Sequence, residues 1–133
     1  MSMLNRLATK KFIIREIRTT YPDWAEPRVS SNVLDIYDNL IGRIIIHSCS
    51  AISTIASLKG CYPMIENLLN KSKVLDKIRT LMISGYPFVK GITLHKELAI
   101  SAVEQILIRQ IKSDISNHRR GHKTFTDVNP NRF

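Results

Sequence analysis

The chain has few of the residues from which metal centres, disulfide frameworks and phosphate-binding loops are built. Its 133 residues include two cysteines, and its five glycines stand singly. Cys49 combines with His47 only as His-x-Cys, whereas structural zinc sites use two closely spaced pairs of ligands. Glycine-rich phosphate loops, nucleophile elbows and HExxH helices do not occur in the sequence. We therefore expect no metal, no cofactor and no disulfide framework.

Paired carboxylates are the one remaining feature that is compatible with catalysis. Asp35 and Asp38 stand three residues apart in a segment with helical periodicity, so both side chains can lie on one face. Such pairs are usually solvated surface groups. The sequence therefore predicts that the protein is not an enzyme and has no small-molecule substrate.

Long apolar runs and a secretory leader are also missing. No stretch approaches the roughly 18 consecutive apolar residues that a membrane span needs. The first residues, Met-Ser-Met-Leu-Asn-Arg, lack the apolar core and cleavage site of a signal peptide. We expect neither insertion in a membrane nor export.

Acidic residues are scarce relative to basic ones. Eleven Asp and Glu face twenty Lys and Arg, which gives a formal net charge of +9. A charge of this sign favours a polyanionic partner, either nucleic acid or an anionic membrane surface. Because 44% of the residues are hydrophobic, a folded domain is expected rather than a disordered basic tail.

Hydrophobic periodicity predicts an all-α protein, since no segment alternates with period two. A first helix is expected over residues 10–20, with Thr9 as its cap and Pro22 after its end. It places apolar residues on one side and a basic stripe on the other, formed by Lys11, Arg15 and Arg18.

A second, very long helix is expected from Ser30 or Ser31 to about Lys59. Two apolar stripes follow it, so it should be buried from more than one side. Residues 64–83 are predicted to be helical with an interruption near residues 70–72, and their apolar face comprises Leu68, Leu75, Ile78 and Met82.

The last long helix is predicted over residues 94–117, with Thr93 as its cap and a narrow apolar stripe. Residues 118–123 form a basic run that we expect to be mobile, and residues 124–133 show no periodicity. The predicted organisation is an arm over residues 1–9, one helical domain over 10–117 and a basic tail over 118–133.

The order of these parts resembles that of a core histone. Residues 17–23, Ile-Arg-Thr-Thr-Tyr-Pro-Asp, are similar to the end of the first helix of histone 2B, and Val-Ser-Ser at 29–31 resembles its Ile-Ser-Ser. Thr93-Leu94 and residues 101–107 resemble the entry and body of its third helix. The chain departs from that family in a longer loop with Arg28, in an insertion at about 60–89 and in its short N-terminal arm. Such histones resemble those encoded by large DNA viruses.

This resemblance implies a histone fold that pairs with a histone 2A-like chain, and through it an octamer. It implies non-specific wrapping of double-stranded DNA in a nucleosome-like particle, in a nucleus or a virion. The dimer interface that it implies comprises Ile36, Leu40, Ile44, Ile52, Ile55, Leu98 and Ile106.

The candidate DNA-binding residues lie in two loops, one helix and the tail. They are Lys11, Arg15, Arg18, Arg28, Ser30, Ser31, Lys90, Thr93, Arg119 and Arg120. A loop arginine can enter a narrow minor groove, and serines at a helix start can bind a phosphate. Each also has an ordinary role, as a solvated charge or a helix cap.

Two other functions are compatible with the same residues. One is a histone-fold subunit of a transcription or chromatin regulator. The other is a basic helical structural protein of a virion, which would bind other proteins through its apolar faces.

Overall fold

A computed structural model describes residues 2–24, 27–57, 66–86, 96–118, 124–126, 128, 130 and 132. These residues form five helices: α1 (Arg6–Thr20), α2 (Ser31–His47), α3 (Cys49–Ser57), α4 (Lys71–Ile83) and α5 (Lys96–Ser116). Two short strands, β1 (Arg28–Val29) and β2 (Thr124–Phe125), pair in parallel. The expected all-α class is confirmed. No helix among the described residues is long and apolar enough to cross a membrane.

Helix α5 is the centre of the molecule, because it packs against α1, α2, α3 and α4. Ala102, Val103, Leu107 and Ile111 on it are completely buried. The narrow apolar stripe expected for this helix is therefore wrong. Neighbours on several sides bury even the polar Ser101 and Glu104 of α5.

The single long helix expected over residues 31–59 is also wrong, since α2 and α3 are separated at Ser48. The backbone of Ser48 (φ −115°, ψ 16°) leaves the helical region. Serines compete with the helix through their own hydroxyls, and Ser48 and Ser50 flank the start of α3. The interruption accompanies the packing of both helices against α5.

Helix α1 begins four residues before the expected start. Asn5 is its cap, and the Asn5 side-chain oxygen accepts a hydrogen bond from the Ala8 N–H at 3.2 Å. The expected cap, Thr9, lies inside the helix, where its buried hydroxyl donates to the Asn5 carbonyl at 2.8 Å. The apolar pattern did not predict the first turn of α1, because its large apolar residue Leu7 is 65% exposed and does not continue the buried stripe.

The N-terminal arm packs on the helices. Leu4 is buried and pairs with Leu69 in an isolated antiparallel bridge. The Asp38 carboxylate accepts hydrogen bonds at 3.0 Å from the backbone N–H groups of Met3 and Leu4. The arm and the segment before α4 are therefore parts of the same core.

Helix α4 begins at Lys71, so the helix predicted over residues 64–83 is wrong in its first part: the described residues 66–70 are not helical, and Leu69 pairs with Leu4 instead. It ends in a Schellman motif: Tyr86 N–H donates to Leu81 O, Gly85 N–H donates to Met82 O, and Gly85 has φ +85°. Its buried residues are Val74, Ile78 and Leu81. The expected apolar face is wrong at Met82, which is 38% exposed because its neighbour Leu81 turns inward.

The described residues after 123 are packed although the sequence there shows no periodicity. Of the basic run 118–123 that was expected to be mobile, His118 is buried and residues 119–123 lie outside the described part. We call residues 124–126, 128, 130 and 132 the C-terminal strap. Phe125 and Val128 of the strap belong to the hydrophobic core. The parallel pairing places Arg28 opposite Thr124 and Val29 opposite Phe125.

Candidate nucleic-acid interface

Three exposed cations follow one another along the outer side of α1, and we call them the basic face: Lys11, Arg15 and Arg18. Together with Ile14 and Thr19 they line an open depression of about 380 Å³. The opposite side of the helix is fixed in the core by Phe12, Ile13 and Ile17. The predicted stripe is thus brought together on one rigid element, with its charges toward solvent.

Arg15 is the most constrained member of the basic face. Its guanidinium pairs with Glu66 at 2.6 Å and lies 5.5 Å from the centre of the Phe12 ring. The hydrogen bond from Arg15 to Glu66 raises the pKa of the guanidinium. Lys11 and Arg18 make no ion pair with any described residue, so their charges are available to a ligand.

Two carboxylates are used inside the molecule and do not contribute to its outer surface. Glu104 is buried, and its two oxygens accept hydrogen bonds from the N–H groups of Glu66 (3.1 Å) and Leu68 (3.0 Å). Asp114 is also buried. Sequence reasoning did not single out either residue.

The loop between α1 and α2 (residues 21–24 and 27–30) carries the second group of predicted residues. Arg28 is exposed on β1, which packs against α1. Ser30 caps α2, since its hydroxyl accepts a hydrogen bond from Asn32 N–H at 3.2 Å. The ordinary role considered for Ser30 is therefore confirmed, whereas phosphate binding by Ser30 and Ser31 stays a prediction.

Arg6 brings a further cation to the start of α2, and the sequence analysis missed it. Its guanidinium pairs with Asp35 at 2.7 Å and donates to the Ser31 carbonyl at 3.2 Å. No local pattern indicates this contact, because 25 residues separate Arg6 from Ser31.

An aromatic cluster holds this α1–α2 loop against the end of α5. The Tyr21 hydroxyl donates to the Ile115 carbonyl at 2.7 Å. The Trp24 ring stacks on His118, with centroids 4.7 Å apart and planes 12° apart. The rings of His118 and Phe125 meet edge to face, with centroids 5.4 Å apart. The loop that carries Arg28 is thereby fixed to both α5 and the C-terminal strap.

A buried polar network anchors the far end of the strap. Arg132 pairs with Asp114, whose other oxygen accepts a hydrogen bond from the Tyr37 hydroxyl at 2.8 Å. Burial, together with the negative charge of Asp114, raises the pKa of Tyr37. Arg43 donates to the Pro130 carbonyl at 2.6 Å. The sequence analysis missed this network because its members are far apart in the chain.

The residues expected at a dimer interface are largely covered by their own chain. Leu40, Ile44, Ile52 and Leu98 are buried, and a partner would reach them only if this packing opened. Ile36 and Ile106 are half-buried beside the core. The remaining predicted residues lie outside the described part: Lys90, Thr93, Arg119 and Arg120, together with the side chain of Ile55.

Comparison of the chain with protein-family models, with curated proteins and with solved structures found no match.

Proposed function

We propose that this protein binds the phosphate backbone of double-stranded DNA, without selecting bases, through the basic face of α1 and the neighbouring Arg28. The observation that carries the proposal is the convergence of Lys11, Arg15 and Arg18 on one open depression. Exposed ammonium and guanidinium groups attract phosphates and release the counterions condensed on DNA.

The dimensions of the basic face suit a nucleic-acid backbone. From Lys11 to Arg18 the helix rises about 10 Å. Each DNA strand carries one charge about every 3.4 Å along the axis, so a cation at each turn of α1 finds a phosphate nearby. The residues around the depression are basic, apolar or small. Its lysine and two arginines can donate to phosphate oxygens, and such contacts carry no sequence information.

Histone-like DNA packaging, with a second histone-fold chain as partner, is the more specific form of this proposal. It is supported by the order of a short helix, a loop with Arg28 and paired serines, and a following helical stretch. Its test is nuclease digestion of DNA bound by this protein with a histone 2A-like chain. Protected fragments of uniform length are the expected result, and a continuous range of lengths would contradict the packaging role.

DNA contact itself is tested with two double variants of matched charge. Lys11→Gln with Arg18→Gln removes two cations from the basic face, whereas Lys71→Gln with Arg79→Gln removes two exposed cations from α4. Fluorescence anisotropy with a labelled duplex of random sequence measures the affinity. We expect the α1 variant to weaken binding at least tenfold and the α4 variant to weaken it much less.

Two results would contradict this proposal. Equal losses in the two double variants would mean that net charge, rather than the basic face, attracts DNA. A preference of more than about a hundredfold for one duplex sequence at fixed salt would require base readout.

A further inference from the structure

We propose that the C-terminal strap positions the DNA contact, and that Phe125 and Arg132 are positioning residues which act through Arg28. The inference rests on the proposed function, because it concerns how one of the DNA-contacting residues is held. It assigns a functional role to a C-terminal segment that has no helical periodicity and lies outside the basic face.

The first link is the pairing of the two strands. Arg28 lies opposite Thr124, and the Ser30 N–H donates to the Phe125 carbonyl at 3.4 Å. Within the described residues, β2 is the one strand that pairs with β1. The backbone that carries Arg28 is therefore held in its register by the strap.

The second link is the aromatic contact. Phe125 is completely buried and meets His118, whose ring stacks on Trp24. Trp24 belongs to the same α1–α2 loop as Arg28. Undocking of Phe125 would thus remove support from this loop at two places, the strand pair and the ring stack.

The third link is the anchor at the far end. Arg132 is 15% exposed and provides a cation to Asp114, whose side chain is 8% exposed. If the strap detached, Asp114 would lose that cation while still buried, which is strongly unfavourable. Since Val128 is buried between the anchor and Phe125, we expect the strap to dock as a unit.

The basic face does not depend on the strap in this way. Phe12, Ile13 and Ile17 fix α1 in the core, and α1 packs directly against α5. Loss of the strap should therefore remove the contribution of Arg28 to DNA binding and leave that of Lys11 and Arg18. This selective loss separates positioning from general stability.

A double-mutant cycle of Arg28→Ala and Arg132→Ala tests the coupling. Each single variant should reduce the slope of log affinity against log salt by roughly one unit, as expected for one lost phosphate contact. The double variant should show the same slope as either single variant, because Arg132 acts through Arg28. Additive reductions would overturn the inference.

The fluorescence of Trp24, the one tryptophan in the chain, reports whether the strap is docked. Arg132→Ala should shift its emission, and Arg132→Lys, which restores a cation beside Asp114, should return both emission and salt slope toward wild type. Arg28→Ala should leave the emission unchanged. If Arg132→Ala does not fold, Phe125→Leu, which keeps an apolar plug but loses the ring contact, takes its place in the cycle.

Leu69→Ala serves as the control for destabilisation, since Leu69 is a core residue that pairs with Leu4 of the N-terminal arm and makes no pair with the strap strand β2. It should leave the salt slope unchanged, and a reduced slope would overturn the inference. If wild-type protein does not bind DNA, the proposed function fails. If wild-type protein binds and Arg28→Ala weakens binding while Arg132→Ala does not, this inference alone fails.

Discussion

Arginines occupy two contrasting settings in this molecule, the basic face of α1 and the C-terminal strap. Arg15 on α1 has a side chain that is 58% exposed even though it pairs with Glu66, and Arg18 has no ion pair in the described part. Arg132 on the strap is largely covered and pairs with the buried Asp114. Water screens the attraction between Arg15 and Glu66. Arg132 and Asp114 are largely removed from water, so each charge depends on the other for its stabilisation. The same side chain thus faces solvent in one region and holds the chain together in the other.

The largest expected effect on stability is at the buried Arg132–Asp114 pair. Asp114→Ala removes the acceptor of both Arg132 and the Tyr37 hydroxyl. Loss of one partner of a buried pair typically lowers the free energy of unfolding by about 3–5 kcal/mol. Urea unfolding followed by circular dichroism measures the change. A loss below about 1 kcal/mol would mean that the pair behaves like a surface one.

Glu104→Gln should have the next largest effect. An amide offers one oxygen where the carboxylate accepts from two backbone N–H groups, so one buried N–H loses its partner. That loss should cost about 1–3 kcal/mol of unfolding free energy. Asp76→Asn on the exposed side of α4 is the control and should change stability by less than about 0.5 kcal/mol. An effect of Glu104→Gln as small as that of the control would show that the carboxylate is not needed.

Tyr37→Phe should cost about 1 kcal/mol at neutral pH, because one hydrogen bond to Asp114 is lost. It should also change the alkaline behaviour. The pKa of Tyr37 is raised in the folded state, so its contribution to stability is complete below the ordinary value of about 10 and declines as pH rises above it. Above pH 10 the variant should therefore lose less stability per pH unit than wild type. Parallel stability curves in that range would contradict the raised pKa.

The smallest expected effect on stability is at the exposed Arg15–Glu66 pair. Arg15→Ala removes the ion pair with Glu66, yet it should lower the free energy of unfolding by no more than about 1 kcal/mol. The difference should shrink further in high salt, since salt screens surface pairs. A loss of several kcal/mol would place Arg15 with Arg132 as a structural arginine.

Residues that follow a local pattern could be predicted from the sequence. The period of Phe12, Ile13 and Ile17 identified the buried side of α1 and hence the basic face opposite to it. Ser30 was recognised as a cap because capping needs only adjacent residues.

Contacts between distant residues could not be predicted in the same way. Tyr37 and Asp114 meet across 77 positions, and the buried Phe125 lies on β2, whose partner strand β1 is far away in the chain. The interruption at Ser48 was missed because apolar stripes continue on both sides of it. Tertiary packing determines these features, and the hydrophobic periodicity of the sequence does not reveal which distant segments pack together.

The most direct test of the proposed DNA contact is the salt dependence of binding to a random duplex. For each phosphate contact, the slope of log affinity against log salt is about −0.9. Lys11→Gln with Arg18→Gln should therefore make the wild-type slope shallower by roughly two units, while helicity and urea unfolding stay unchanged. An unchanged slope in this correctly folded variant would contradict DNA binding by the basic face of α1.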